Sequence, residues 1–192
     1  MLAPLDLLDL LTARLAEGLP ALDLSRRHGL VSLVLPLPRA PTLPPEIDAP
    51  RFGLIHGRGN SLRAGYGIAA EWQAEGGERL SQLRRQARAL YRSWAQVDPD
   101  ETGFHGFGLL GFAADPWADP GPDAATGLPN ALIWVPEVAV IRQHGEAALV
   151  FTARLPATRQ SLLVRWMHWL LSLIHISEPT RPELVSRMPS SA

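Results

Sequence analysis

The 192-residue chain contains neither cysteine nor lysine. The first absence excludes disulfide frameworks, thiolate metal sites and cysteine nucleophiles, and it fits a reducing compartment. The second makes all 18 basic residues arginine, so no side chain can serve as an amine base or form a Schiff base. An excess of charge is missing too. The formal net charge is -1, and phosphate recognition needs a basic surface, so no nucleic-acid partner is expected. A long apolar run is also lacking. The Trp- and Leu-rich stretch from Ser161 to Ile176 carries Arg165 and His168 and falls short of the ~20 apolar residues of a membrane span. The opening Met1-Leu2-Ala3-Pro4-Leu5-Asp6 carries acid where a secretory signal carries base. No targeting segment is therefore read, and a cytoplasmic location is expected.

What is present is a hydrophobic content of 46% on a chain long enough for one domain with a core. Leu8, Leu11 and Leu15 recur at helical spacing, which predicts an amphipathic helix from Leu5 to Leu19, stopped by Gly18 and Pro20. Leu30–Leu37 reads as a strand. The Pro36–Pro50 stretch holds six prolines and reads as an extended connection. Arg51–Gly57 and Ala64–Trp72 read as strands around an Arg58-Gly59-Asn60-Ser61 turn. A helix is expected from Gly77 to Val97, with Leu80, Leu83, Ala87, Leu90, Tyr91 and Trp94 on one apolar side. Phe104–Phe112 should be extended and Ala114–Pro129 a loop. Two apolar runs, Ala131–Gln143 and Ala147–Ala153, flank His144-Gly145-Glu146 as a hairpin. A last helix is expected over Thr158–Leu170. This order predicts an α+β fold with mainly antiparallel strands and two or three helices.

Gly106-Phe107-Gly108-Leu109-Leu110-Gly111 spells G-x-G-x-x-G. That spacing holds a dinucleotide only where a strand turns into a helix, and Pro116, Pro120 and Gly121-Pro122 follow here. Close packing along a strand is the favoured reading; a non-catalytic binding module using this segment is the alternative. His28, His56, His105, His144, His168 and His175 show no metal-helix spacing. Asp98, Asp100 and Glu101, and Asp115, Asp119 and Asp123, form two acidic clusters without a calcium-loop pattern, so solvated loops are expected. Arg84, Arg85, Arg88 and Arg92 read as a solvated helix face. No catalytic, cofactor-binding or metal-ligating residue is assigned.

Several segments in order resemble isochorismate synthases, members of the chorismate-utilising enzyme family. They are the Leu30–Leu37 strand; Phe52 with Gly65-Tyr66-Gly67-Ile68-Ala69; Phe104-His105-Gly106-Phe107-Gly108 followed by Trp117; and Asn130-Ala131-Leu132-Ile133-Trp134-Val135-Pro136-Glu137, where Val135 stands in place of the usual Leu. The resemblance covers roughly Leu30 to Arg154. It implies an isomerase of menaquinone or siderophore biosynthesis that binds chorismate with Mg²⁺ and uses a lysine base and a glutamate acid. In that family these groups and the metal ligands lie in the C-terminal half. The resemblance therefore implies an incomplete N-terminal part, with no catalytic residue and no cofactor of its own. Residues 171–192 resemble translated sequencing-library adapter. Leu171-Ser172-Leu173-Ile174-His175-Ile176-Ser177-Glu178-Pro179-Thr180-Arg181 and Ser186-Arg187-Met188-Pro189-Ser190-Ser191-Ala192 flank Pro182–Val185. A native domain of 1–170 and a tail making few tertiary contacts are expected.

Overall fold

The computed structural model describes residues 4–38, 52–57, 61–115 and 129–175. Helix α1 (Pro4–Gly18) leads into strand β1 (Leu30–Leu37), then β2 (Phe52–His56), β3 (Leu62–Tyr66) and β4 (Ala70–Ala74). Helix α2 (Arg79–Arg92) precedes β5 (Trp94–Val97) and β6 (Leu109–Phe112). Strands β7 (Ala131–Val135), β8 (Val138–Gln143) and β9 (Glu146–Arg154) lead to helix α3 (Arg159–His175). Six strands form one sheet in the order β2-β3-β8-β9-β1-β5, and three form another in the order β4-β7-β6. Among the described residues only β1 and β5 pair in parallel. The fold is α+β with mainly antiparallel strands, as the element order predicts.

The larger sheet packs on both faces along β1 and β9, which are buried continuously rather than at alternate residues. On one face lie α1 and α3. Leu11 and Leu15 of α1, one turn apart, meet Val31, Leu33 and Phe151 of the sheet and Leu162 and Trp166 of α3 in a single cluster. The Phe151 and Trp166 rings are 5.5 Å apart. Full burial of each such side chain stabilises by roughly 1.5–3 kcal/mol. The other face packs Val34, Ile141 and Val150 beneath Phe104.

The two sheets share a bent pair of strands. The expected Ala64–Trp72 strand is instead two, β3 in the larger sheet and β4 in the smaller, and the expected Ala131–Gln143 run divides likewise into β7 and β8. Tyr66 pairs with Val138 on one side of the bend, and Ala70 pairs with Val135 on the other. Three residues, Gly67–Ala69, thus oppose two, Pro136 and Glu137. One extra residue makes a β-bulge, which bends the strand and reorients the ladder. Backbone bonds hold the bend: Ala69 N donates to Val135 O and Glu137 N to Tyr66 O, both at 2.9 Å.

Other boundaries move for local reasons. Helix α2 stops at Arg92, where the Ser93 N–H closes on the Ala89 and Leu90 carbonyls. Trp94–Val97, expected as helix, pairs instead with β1. The β8–β9 hairpin forms where expected, with positive φ at both His144 (55°) and Gly145 (87°), the geometry of a tight two-residue turn. Pro36 and Leu37 end β1 rather than opening the connection, beyond the Leu30–Leu33 section that β5 pairs. Helix α3 continues past Leu170 to His175, and Leu173 is buried, so the first residues after Leu170 do pack. Trp166, Trp169, Leu170 and Leu173 fall at i, i+3, i+4 and i+7, so the run extends an existing apolar stripe, and propagating a formed helix costs little. The expected tail beyond His175, the 116–128 stretch with Trp117, and the Arg58–Asn60 turn lie outside the described residues.

Candidate functional site

Two of the segments that carry the family resemblance, Gly65–Ala69 and Asn130–Glu137, meet at the bend. Trp134 is its centre: the indole Nε1 donates to Gly67 O at 2.7 Å. A Cβ on Gly53 would meet the Trp134 ring at 2.6 Å, and one on Gly65 would meet Pro136 at 2.8 Å. Gly67 has φ +68°, and a Cβ there would lie 2.6 Å from the Trp169 ring and 3.1 Å from Glu137 Cβ. These residues build a packed corner.

Glu137, which the sequence does not single out, is the corner's one carboxylate. Its side chain is 12% exposed, and Oε1 lies 3.0 Å from Arg165 Nε. Burial pushes its carboxyl above the ordinary carboxylate range, while Arg165, a hydrogen bond from Trp169 and the charge of His168 pull it down.

The Gly106 segment lies elsewhere, against β5. Gln96 grips it: Nε2 donates to Phe104 O and faces His105 Nδ1, each at 2.8 Å, and Gly106 N donates to Gln96 Oε1 at 3.1 Å. A Cβ on Gly106 would sit 2.4 Å from the Trp94 ring, so glycine is needed there for close packing. Trp94 Nε1 in turn donates to Ser32 Oγ at 2.8 Å, and Ser32 Oγ lies 2.8 Å from Thr152 Oγ1. Gly111 falls inside β6, and no helix opens on the motif within the described residues. The strand-to-helix context that a dinucleotide requires is not what these glycines form.

Beside this segment runs a groove of about 1090 Å³, bounded by α2, the 105–108 stretch, β6 and Ile133. Leu83 is the one residue of the expected apolar side of α2 that is buried there, and Leu90 is half-buried; Leu80 and Tyr91 are exposed. Arg79, buried at the start of α2, donates to Ala113 O at 2.8 Å and ties the exit of β6 to the helix.

The remaining polar candidates serve local structure. The Asp98 carboxylate accepts from Thr102 Oγ1 at 3.1 Å and Gly103 N at 2.9 Å, and Asp100 pairs with Arg14 at 2.6 Å. Asp119 and Asp123 lie outside the described residues. His28, His105, His144 and His168 are exposed and separate; His56 lies in β2 and His175 ends α3. Among the described residues no three His, Asp or Glu side chains gather as metal ligands. Among those residues no helix is long and apolar enough to cross a membrane.

No protein-family model matches the chain, and no curated protein sequence does. Among solved structures its fold is similar to that of MenF, the menaquinone-specific isochorismate synthase of Escherichia coli, with a TM-score of 0.51 and 18% sequence identity. The match covers 89% of this chain and 35% of that one. The chain therefore spans about a third of the length of that enzyme, and at this identity the likeness is one of fold: part of the chorismate-utilising enzyme fold.

Proposed function

We propose that this chain is the N-terminal part of an isochorismate synthase, an isomerase that takes chorismate, and that it lacks the chemistry when alone. The observation that supports the reading is the fold itself, which follows the Escherichia coli enzyme over 89% of the chain. Two of the sequence motifs of the resemblance, Gly65–Ala69 and Asn130–Glu137, form the bend between the two sheets, which supports the same reading. A menaquinone or siderophore branch and a cytoplasmic setting belong to the same reading. So does an appended tail beginning near Leu170.

The chemistry implied by the resemblance is the reason to expect no activity from the chain alone. Adding water to one ring carbon and expelling hydroxide from another needs a base, an acid and a cation around one ring. Bound Mg²⁺ would neutralise a substrate carboxylate. Arginine cannot stand in for the lysine base, because it stays protonated near neutral pH. The test uses the chain as it stands and the parent reading frame extended past the codon for Leu170. With chorismate and Mg²⁺, the chain should give no isochorismate above a protein-free control, and the extended product should give turnover. An extended frame without a lysine-bearing strand and paired glutamates, or without turnover, would sink the proposal.

A further inference from the structure

The smaller sheet is half covered. Strands β4, β7 and β6 lie side by side, and side chains alternate between the two faces. Ala74, Ala131 and Ile133 share the face on which Leu83 of α2 packs. Leu110 and Phe112 of β6 point to that same face, because Leu110 pairs with Ile133 and Phe112 with Ala131. Helix α2 packs on β4 and β7, and Leu110 and Phe112 remain 56% and 57% exposed. The place beside α2, above the edge strand β6, is the groove described above.

Its two sides have a definite character. Leu80, 42% exposed, and Tyr91, 82% exposed, present an apolar flank of α2 towards the groove. Arg84 and Arg92 stand along it, two of a row with Arg88 at every fourth residue. The α2 sequence, Arg79–Arg92, contains no acid, and no Asp or Glu among the described residues lines the groove. Among the described residues none of these three arginines is in an ion pair. The groove also exceeds the ~300–1,000 Å³ typical of small-molecule pockets.

We propose that this groove seats an amphipathic helix with acidic flanks, laid beside α2 on the bare half of the smaller sheet. Two helices packed 8–10 Å apart on one sheet face make an ordinary two-layer arrangement. The apolar stripe of the partner would cover Leu110 and Phe112, and its carboxylates would meet the Arg84–Arg92 row. Charge complementarity selects this occupant over a basic or neutral helix. The inference concerns this surface and does not depend on the chorismate reading.

The test is a titration of the full chain against two labelled synthetic helices, followed by fluorescence anisotropy. Both carry leucines at i, i+3, i+4 and i+7; one is flanked by Glu and the other by Lys. The Glu-flanked helix should bind saturably, more weakly as salt is raised, and at least about tenfold more tightly than its Lys-flanked twin. Arg84→Glu with Arg92→Glu should reverse that preference, and Leu110→Glu or Phe112→Glu should abolish binding. All four positions are exposed, and far-UV circular dichroism checks that each variant folds. Equal binding of the two helices, or binding that survives Leu110→Glu, overturns the proposal. A dimer in sedimentation that Leu110→Glu dissolves would overturn it in favour of a second copy. Capture by anionic vesicles that Leu110→Glu abolishes, without helix binding, would overturn it in favour of a lipid surface.

Discussion

Replacing Gly67 by alanine separates two costs that the bend imposes. The first is conformational: at φ +68° a side chain meets the left-handed region, which costs about 1–2 kcal/mol. The second is steric: the new Cβ would lie 2.6 Å from the Trp169 ring, and overpacking of this kind costs about 1–3 kcal/mol. The combined loss is about 2–5 kcal/mol, which for a domain of this size lowers Tm by about 4–20 °C. Gly145→Ala isolates the first cost, because that turn glycine has φ +87° and nothing within 4 Å of its Cβ position. The gain from restricting the unfolded chain is common to both variants and drops out of the comparison. Urea unfolding followed by tryptophan fluorescence should therefore place Gly67→Ala below Gly145→Ala by about 1–3 kcal/mol. In a Trp169→Leu background that gap should shrink, as expected for two residues in contact. Equal losses at positions 67 and 145 would refute the steric account of the corner.

Glu137 gives a pH prediction. Burial raises its folded carboxyl above the ordinary range, so the folded chain holds that proton more tightly than the unfolded chain does. Stability should then fall as pH rises from the ordinary carboxylate range through the raised value. Glu137→Gln should flatten that slope in urea unfolding measured across the window, and an unchanged slope would assign it to other groups. Ser32→Ala should cost about 1–3 kcal/mol, because the Trp94 N–H and the Thr152 hydroxyl both lose their shared partner. Thermal melts would show it, and adding Thr152→Val should recover part of the loss.

The sequence is most legible where one segment decides its own structure. The Leu30–Leu37 strand, the first helix and the His144-Gly145 turn carry their signals locally, and all three form. It is least legible where a distant segment decides. Nothing in Ala64–Trp72 says that its two halves belong to different sheets, because the bulge exists only through pairing with Val135–Val138. The periodicity of α2 likewise runs on through Trp94, but the free edge of β1 takes Trp94–Val97 as a strand. The apolar stripe of α2 is visible in sequence as a pattern; that half of it faces a groove depends on where β6 lies. Chemistry is the least legible: Gly106 of the motif serves packing against Trp94, and Asp98 binds within its own turn.

The bend also governs how such a chain could be cut or exchanged. The two strands that cross it are separated in sequence by residues 75–130, yet each belongs to both sheets. A break anywhere in that interval leaves both sheets unfinished rather than yielding one intact sheet on each piece. A single-residue deletion among Gly67–Ala69 would leave two residues opposite Pro136 and Glu137 and so remove the bulge that bends the strand. The two halves of the bent pair, Leu62–Ala74 and Ala131–Gln143, should therefore be kept together. Tolerated crossovers between relatives should fall outside Leu30–Arg154, or move the matching halves of the bent pair together.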